Sequence, residues 1–151
     1  MPGATLTGNY GDGVMAAFTS NVHVPGATIS GNGAHPDFGA NGVGAFNASA
    51  IDAYSATVSG NDGQGFTTWL GGMISADNSK ANGNLRGDGY FAGGLSGIDA
   101  QGSESKSNLQ GNGYQATHGG NINAGAVYDY STNPATITAR STAELNGQAE
   151  L

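Results

Sequence analysis

The stretch Gly65-Phe66-Thr67-Thr68-Trp69-Leu70-Gly71-Gly72-Met73-Ile74-Ser75-Ala76 decides the fold, because it recurs along the chain. Similar segments open at five glycines, spaced by 29, 23, 24 and 24 residues: Gly13, Gly42, Gly65, Gly89 and Gly113. A period in this range is typical of repeat architectures, in which stacked units bury one continuous core. The sequence therefore predicts five tandem repeats of about 24 residues in a single domain, residues 1–151.

Each repeat has one shared face. Counted from the opening glycine, the first, third, seventh, ninth and eleventh offsets hold apolar or small residues, whereas the even offsets vary. The first offset holds Val14, Val43, Phe66, Tyr90 and Tyr114, and the ninth holds Val22, Ile51, Ile74, Ile98 and Ile122. Side chains on a strand alternate between two faces, so the pattern predicts one strand of about eleven residues per repeat. Small residues in its middle favour a thin, closely packed core over a ligand cleft.

A shorter strand precedes each long one. Residues 27–32 (Ala-Thr-Ile-Ser-Gly-Asn) and 56–61 (Ala-Thr-Val-Ser-Gly-Asn) are near copies of each other. Turn residues at both ends of the unit favour an all-β fold in which two-strand repeats form an antiparallel meander or barrel. The alternative is a β-solenoid with one coil per repeat. In a solenoid, the asparagines of the Gly-Asn pairs would stack as a ladder: Asn9, Asn32, Asn61, Asn84 and Asn112.

Composition and charge exclude several classes of protein. Gly accounts for 28 of 151 residues but Pro for only 4, without the strict Gly period of collagen. The net charge is −7 with only four Lys and Arg, which argues against binding to nucleic acid or to anionic membranes. No apolar run is long enough to cross a membrane, and the absence of Cys excludes disulfides and thiolate metal sites. Residues 1–4 do not have the pattern of a signal peptide.

The loop from Gly33 to Ala40 is an insertion into the regular pattern. Insertions on a regular scaffold often carry function, although a harmless insertion is the simpler interpretation. Aromatic residues at variable positions are typical binding anchors. The sequence thus predicts five interaction residues for a protein or glycan ligand: His35, Asp37, Phe38, Trp69 and Phe91.

Motifs for catalysis, metals or cofactors are weak. The three histidines, His23, His35 and His118, have no spacing typical of a metal site. The acidic turns at Asp12, Asp62 and Asp88 resemble calcium loops but lack their spacing, and they are better explained as turn residues. Residues 86–88 spell the adhesion tripeptide Arg-Gly-Asp, which arises easily by chance. We therefore expect no enzymatic activity and no cofactor.

Paired hydroxyl residues occur on the short strands. Thr5 and Thr7, Thr28 and Ser30, Thr57 and Ser59, and Thr136 and Thr138 have the Thr-x-Thr or Thr-x-Ser form. Such rows are known from ice-binding β-proteins, which makes ice binding one alternative function, with calcium binding another. The fourth and fifth repeats interrupt the array, and the strand propensity of Thr is the simpler explanation.

Two features resemble the β-barrel domains of transferrin-binding-protein-like surface lipoproteins. One is Ser-Gly-Asn followed by an aromatic residue, as in residues 59–66; the other is Gly125-Ala126-Val127-Tyr128 with a later Ala143-Glu144-Leu145-Asn146-Gly147. Asp129 stands where that family has Gly, and a long hairpin separates the two halves of the second feature. The resemblance implies a surface β-barrel, and it supplies no functional residues.

Strands of small residues with few charges favour packing against copies of themselves. The leading hypothesis is therefore a non-enzymatic, self-associating structural subunit of an extracellular fibre, a surface layer or a virion. We expect its contacts at terminal strand edges, near Leu6 and Leu145. The alternative is a monomeric surface β-barrel that binds a protein or small ligand through its loops.

Overall fold

The fold is an all-β solenoid of parallel sheets. The computed structural model describes residues 1–33 and 40–124 in full, and beyond them only four backbone strands: β16 (Val127–Asp129), β17 (Thr136–Thr138), β18 (Ala143–Leu145) and β19 (Gln148–Glu150). Within these residues the chain winds through five coils, each of which contributes one strand to each of three parallel sheets. No helix in the described part of the chain is long and apolar enough to span a membrane.

The three sheets are named here in the order in which the chain meets them. Sheet A contains β1 (Thr5–Thr7), β4 (Thr28–Ser30), β7 (Thr57–Ser59), β10 (Lys80–Asn82) and β13 (Glu104–Lys106). Sheet B contains β2 (Val14–Ala16), β5 (Val43–Phe46), β8 (Phe66–Trp69), β11 (Tyr90–Ala92) and β14 (Tyr114–Ala116), extended by β18 and β19. Sheet C contains β3 (Asn21–His23), β6 (Ala50–Asp52), β9 (Met73–Ser75), β12 (Gly97–Asp99) and β15 (Asn121–Asn123).

All-β structure and the β-solenoid alternative are confirmed, whereas the antiparallel meander and the barrel are wrong. Each strand pairs in parallel with the equivalent strand of the next coil, so Ile51 lies beside Ile74, and Ile74 beside Ile98. The repeat has three strands rather than two, because a tight corner divides the predicted eleven-residue strand. Antiparallel pairing occurs only near the end of the described chain, where β16 pairs with β17 and β18 with β19.

The shared face predicted from the odd offsets is the inner face of the solenoid. Ile51, Ile74 and Ile98 form one buried row, each about 2% exposed, and burial of such a side chain contributes roughly 1.5–3 kcal/mol. An aromatic stack forms another row. The rings of Phe66 and Tyr90 are parallel at 4.9 Å between centroids, and those of Tyr90 and Tyr114 at 4.7 Å. The core is therefore built of rows of like residues that run along the solenoid.

The buried tyrosine hydroxyls have matched partners. The Tyr90 hydroxyl lies 2.9 Å from Ser79 Oγ, and the Tyr114 hydroxyl lies 2.7 Å from Ser103 Oγ. Phe66 has no hydroxyl and needs no such partner. One coil before Ser79, the equivalent position holds Ala56 instead of a serine. Burial raises the pKa of Tyr90 above its ordinary value, since ionisation would place a charge in the core. The serine–tyrosine pairs satisfy polar atoms that would otherwise be costly to bury.

The asparagine ladder is present with one correction. Asn32 donates from Nδ2 to Asn61 Oδ1 at 2.8 Å, and Asn61 donates likewise to Asn84 at 3.1 Å. In the last coil the next acceptor is Asn108, at 3.0 Å from Asn84 Nδ2, not the predicted Asn112. Ser107 takes the left-handed conformation that glycine has before the other ladder asparagines, with φ near 55°. Residues 111–112 are a Gly-Asn pair, and for that reason Asn112 was predicted as the ladder residue in place of Asn108.

Candidate functional site

The predicted interaction residues fall into two groups. His35, Asp37 and Phe38 lie outside the described residues. Trp69 and Phe91 lie on the outer face of sheet B in adjacent coils, with ring centroids 5.8 Å apart and planes inclined by 14°. The structure therefore brings together two of the five residues, which are neighbours across the coils although 22 positions apart in the chain.

Trp69 and Phe91 are a packed outer layer rather than protruding anchors. Both side chains are half-buried. A Cβ at Gly93 would overlap the indole of Trp69, so the ring covers the backbone of the next coil at a position that only glycine allows. His118, one coil further, meets the indole edge to face at 5.7 Å. This cluster stabilises the outer surface of sheet B beside the second corner, where sheet B turns into sheet C.

The second corner is a two-residue turn that recurs in every coil. Its two central residues have positive φ, as in a type I′ turn: Phe18 and Thr19, Asn47 and Ala48, Leu70 and Gly71, Gly94 and Leu95, and His118 and Gly119. Type I′ turns favour Asn and Gly, because a side chain in the left-handed region crowds its own backbone. Several of these ten positions hold Asn or Gly, but others hold large apolar side chains.

Three of those side chains form an exposed strip, which we name the apolar ridge: Phe18, Leu70 and Leu95. They are 80%, 56% and 81% exposed, and their φ angles are 55°, 55° and 60°. Each residue thus carries two local costs. The left-handed conformation costs about 1–2 kcal/mol, and the exposed apolar surface gains nothing from burial in the fold. Asn47 and Gly94 show that the corner accommodates residues without either cost.

The apolar ridge is rigid and almost free of charge. Its backbone is fixed between coils, since the Ala48 amide donates to the Leu70 carbonyl at 3.0 Å and the Leu95 amide donates to the His118 carbonyl at 3.2 Å. His118 is the only residue at the second corner that can ionise. The sequence interpretation missed the ridge because it treated this corner as the middle of a continuous strand.

A shallow groove of about 500 Å³ lies on the outer face of sheet C. His23 Nδ1 and Asp52 Oδ2 are 2.7 Å apart at its wall, and the Tyr54 ring meets the His23 ring edge to face at 6.4 Å. Ser75 also lines the groove, but the strand register places Asp52 between His23 and Ser75. A nucleophilic triad requires the histidine in that middle place, so the arrangement does not resemble a catalytic one.

The acidic turns do not converge on one point. Asp12 Oδ1 accepts from the Asn41 amide at 2.6 Å, Asp88 Oδ1 accepts likewise from Asn112 at 2.6 Å, and Asp62 pairs with Arg86 Nε at 3.0 Å. Each carboxylate therefore ties its turn to the following coil. Among the described residues no three His, Cys, Asp or Glu side chains are grouped as a metal site. The geometry gives calcium binding no support.

Comparison with protein-family models, curated proteins and solved structures finds no match for this chain.

Proposed function

We propose that this protein is a non-enzymatic structural β-solenoid that associates with copies of itself along the apolar ridge, as a subunit of an extracellular fibre, a surface layer or a virion. The observation that carries the proposal is the exposure of Phe18, Leu70 and Leu95 in left-handed conformations. Strained residues persist where function requires them, and exposed apolar surface of this kind is typical of protein–protein contacts.

Charge favours the ridge over other surfaces as the contact between copies. Two chains with a net charge of −7 repel each other. Burying a carboxylate at their interface would add a desolvation cost. The second corner contains neither Asp nor Glu, so two copies meet there at the lowest electrostatic cost. Because the backbone of the ridge is already fixed, association orders few additional groups.

The shape of the ridge suits a two-fold arrangement. Coils lie ~4.8 Å apart, and Asn47 of the second coil lies between Phe18 in the first coil and Leu70 in the third. In an isologous pair each copy presents the same patch to its partner, so the apolar side chains of one ridge pack against those of the other. This arrangement moves the contact away from the strand edges near Leu6 and Leu145. The strand that contains Leu145, β18, is itself paired on both sides, with β14 and β19.

Sedimentation velocity over a concentration series tests the proposal. We expect the wild-type chain to associate, and the double variant Phe18→Asn with Leu95→Asn to weaken association about tenfold or more, as loss of a buried apolar anchor does. The matched control is Leu109→Asn, which replaces a leucine that is 70% exposed but lies outside the ridge. A wild-type chain that stays monomeric throughout, or a control that weakens association equally, contradicts the proposal.

A binding module is the second candidate function, and the groove on sheet C favours it. The groove combines the planar polar groups of His23 and Asp52 with an apolar floor at Ala50 and Met73. The exposed ring of Tyr54 lies beside it, against His23. Few polar groups over an apolar floor are typical of ligand sites, and neutral glycans present the matching combination of hydroxyl and C–H surfaces. A glycan array probed with wild-type and Tyr54→Ala protein tests this. Glycan binding that requires Tyr54 supports it, and the absence of any bound glycan rejects it.

A further inference from the structure

The outer face of sheet A carries a regular grid of hydroxyl groups. Two rows run across the first three coils, since the strand register aligns each hydroxyl with its equivalent in the next coil. One row consists of Thr5, Thr28 and Thr57, and the other of Thr7, Ser30 and Ser59. The expected spacings are ~4.8 Å between strands and ~6.6 Å along each strand. The solenoid thus converts a sequence pair into a two-dimensional lattice.

The six hydroxyls are free to bind water. Thr5, Thr7 and Thr28 are exposed, and Ser30, Thr57 and Ser59 are half-buried. Within the part of the chain that the structure describes, none of their side chains makes a hydrogen bond to protein. The grid ends at the fourth coil, where Lys80 and Asn82 continue the two rows. From there the face is charged, and Lys106 Nζ pairs with Glu104 Oε2 at 2.7 Å.

The chemistry of the grid limits what it recognises. The six residues carry no charge and no ring, so they offer nothing that selects an ion or an aromatic solute. Their distinguishing property is a repeat in two directions, held by the backbone ladders of three coils. Each hydroxyl both donates and accepts hydrogen bonds, as water does. A ligand that matches a neutral, rigid, periodic array of hydroxyls is itself a periodic array of hydrogen-bonding groups.

We propose that the hydroxyl grid on the outer face of sheet A binds the surface of ice. Water molecules that bind to the hydroxyls are held at the spacing of the grid. Such an ordered layer of water can join the surface of an ice crystal. The side-chain torsions of Thr are restricted by its branched Cβ, which keeps the array ordered before binding and reduces the entropy lost on contact. The grid lies on a different sheet from the apolar ridge, so this inference does not depend on self-association.

Thermal hysteresis and the habit of ice crystals grown in the protein solution test the proposal. We expect wild-type protein to shape crystals and to depress their growth temperature. Thr28→Lys places a long charged chain in the middle of a row and should abolish both effects. Lys80→Thr extends the same row into the fourth coil, because Lys80 lies beside Thr57, and it should increase the hysteresis. Gln115→Lys, on the outer face of sheet B, is the matched control and should change neither effect.

Circular dichroism and melting temperature establish that each variant is folded. Thr5→Lys, at the end of the row, replaces Thr28→Lys if the latter does not fold. Wild-type protein without any effect on ice growth overturns the proposal, as does a Gln115→Lys loss equal to that of Thr28→Lys. Adsorption to crystalline cellulose or chitin in place of ice would also overturn it, and would assign the grid to a polysaccharide surface.

Discussion

The second corner and the third corner, where sheet C turns into sheet A, use left-handed residues in different ways. At the third corner the left-handed position holds small or polar residues: Gly3, Gly26, Ser55, Asn78 and Gly102. A bond between the first and fourth residues closes this turn, for example from the Ser79 amide to the Ala76 carbonyl at 3.1 Å. At the second corner, comparable backbone conformations hold Phe18, Leu70 and Leu95. The solenoid therefore requires left-handed corners but not apolar ones, which is why we interpret the apolar ridge as functional.

One common core supports both corners, and substitutions in that core should have the largest effect on stability. Ile74→Asp and Ile98→Asp each place an unpaired carboxylate among buried isoleucines, at a cost of at least several kcal/mol. We expect a large fall in the urea midpoint or loss of folding. Gln115→Asp, at a partly exposed outer position, is the control and should have little effect. If Ile74→Asp melts like wild type, the inner face is misassigned.

A second prediction concerns the close packing beneath the second corner. Gly72 is buried, and a Cβ there would overlap the carbonyl oxygen of Ala45 in the preceding coil. Gly72→Ala should therefore destabilise the fold by about 1–3 kcal/mol, the usual cost of overpacking. Gly60→Ala tests left-handed strain without the clash, since no atom lies within 4 Å of a Cβ at that position. A Gly72→Ala cost no greater than that of Gly60→Ala would show that the contact with Ala45 does not limit this site.

The third corner is coupled to the core through Ser79, and a double-mutant cycle measures the coupling. Tyr90→Phe and Ser79→Ala each remove one partner of the 2.9 Å hydroxyl contact and should each cost about 1 kcal/mol. The double variant should cost less than the sum, because neither hydroxyl then lacks its partner. Urea unfolding of the four proteins gives the coupling energy. Strictly additive costs would mean that the contact contributes nothing.

The raised pKa of Tyr90 predicts how stability changes in alkali. Burial favours the neutral phenol in the folded state, so this contribution is complete below the ordinary tyrosine pKa of about 10. It is lost as pH rises from there towards the folded-state value. Wild-type protein should lose stability above pH ~10 more steeply than Tyr90→Phe, as thermal melts across that range would show. Parallel curves for the two proteins would exclude Tyr90 as the source.

The smallest expected effect compares the two corners directly. Leu70→Gly relieves left-handed strain at the second corner and should be neutral or stabilising by up to ~1 kcal/mol in the monomer. Gly26→Ala introduces the same strain at the third corner and should destabilise by about 1 kcal/mol. Differential scanning calorimetry on dilute protein measures both. A large loss of stability in Leu70→Gly would show that Leu70 serves the fold, and the functional interpretation of the ridge would fail.

The sequence predicted the inner face of the solenoid but not the path of its backbone. Val22, Ile51 and the other residues of the first, third, ninth and eleventh offsets face inward as predicted, because alternation depends only on strand geometry. The fifth offset, which holds Phe18 and Leu70, is instead exposed at the second corner. Alternation is the same in parallel and antiparallel sheets, so it could not distinguish the solenoid from the meander. The turn residues then favoured the meander, which is wrong. The second corner was hidden for a related reason. Its turn contains two residues, which preserves odd and even offsets across it, and Ile74 therefore still faces inward beyond the turn.

The candidate surfaces were less predictable than the core. Trp69 and Phe91 were selected as variable aromatics, and the structure shows that the indole of Trp69 lies over Gly93 of the next coil. Leu70 and Leu95 have no local signature, because nothing in the sequence around a leucine indicates a left-handed conformation. The hydroxyl grid was visible as pairs, but only the register of parallel strands aligns Thr5, Thr28 and Thr57 into a row.

The asparagine ladder divides each coil into a portion of fixed length and a portion of free length. From the ladder asparagine to the next opening glycine the chain takes 4, 10, 4, 5 and 5 steps in successive coils, yet the ladder bonds continue across every coil. The first corner, where sheet A turns into sheet B, therefore tolerates changes in length that the strands do not. A peptide grafted between Asn61 and Gly65 would be displayed from a rigid scaffold, and the same tolerance gives evolution a place to vary this protein without disturbing its coils.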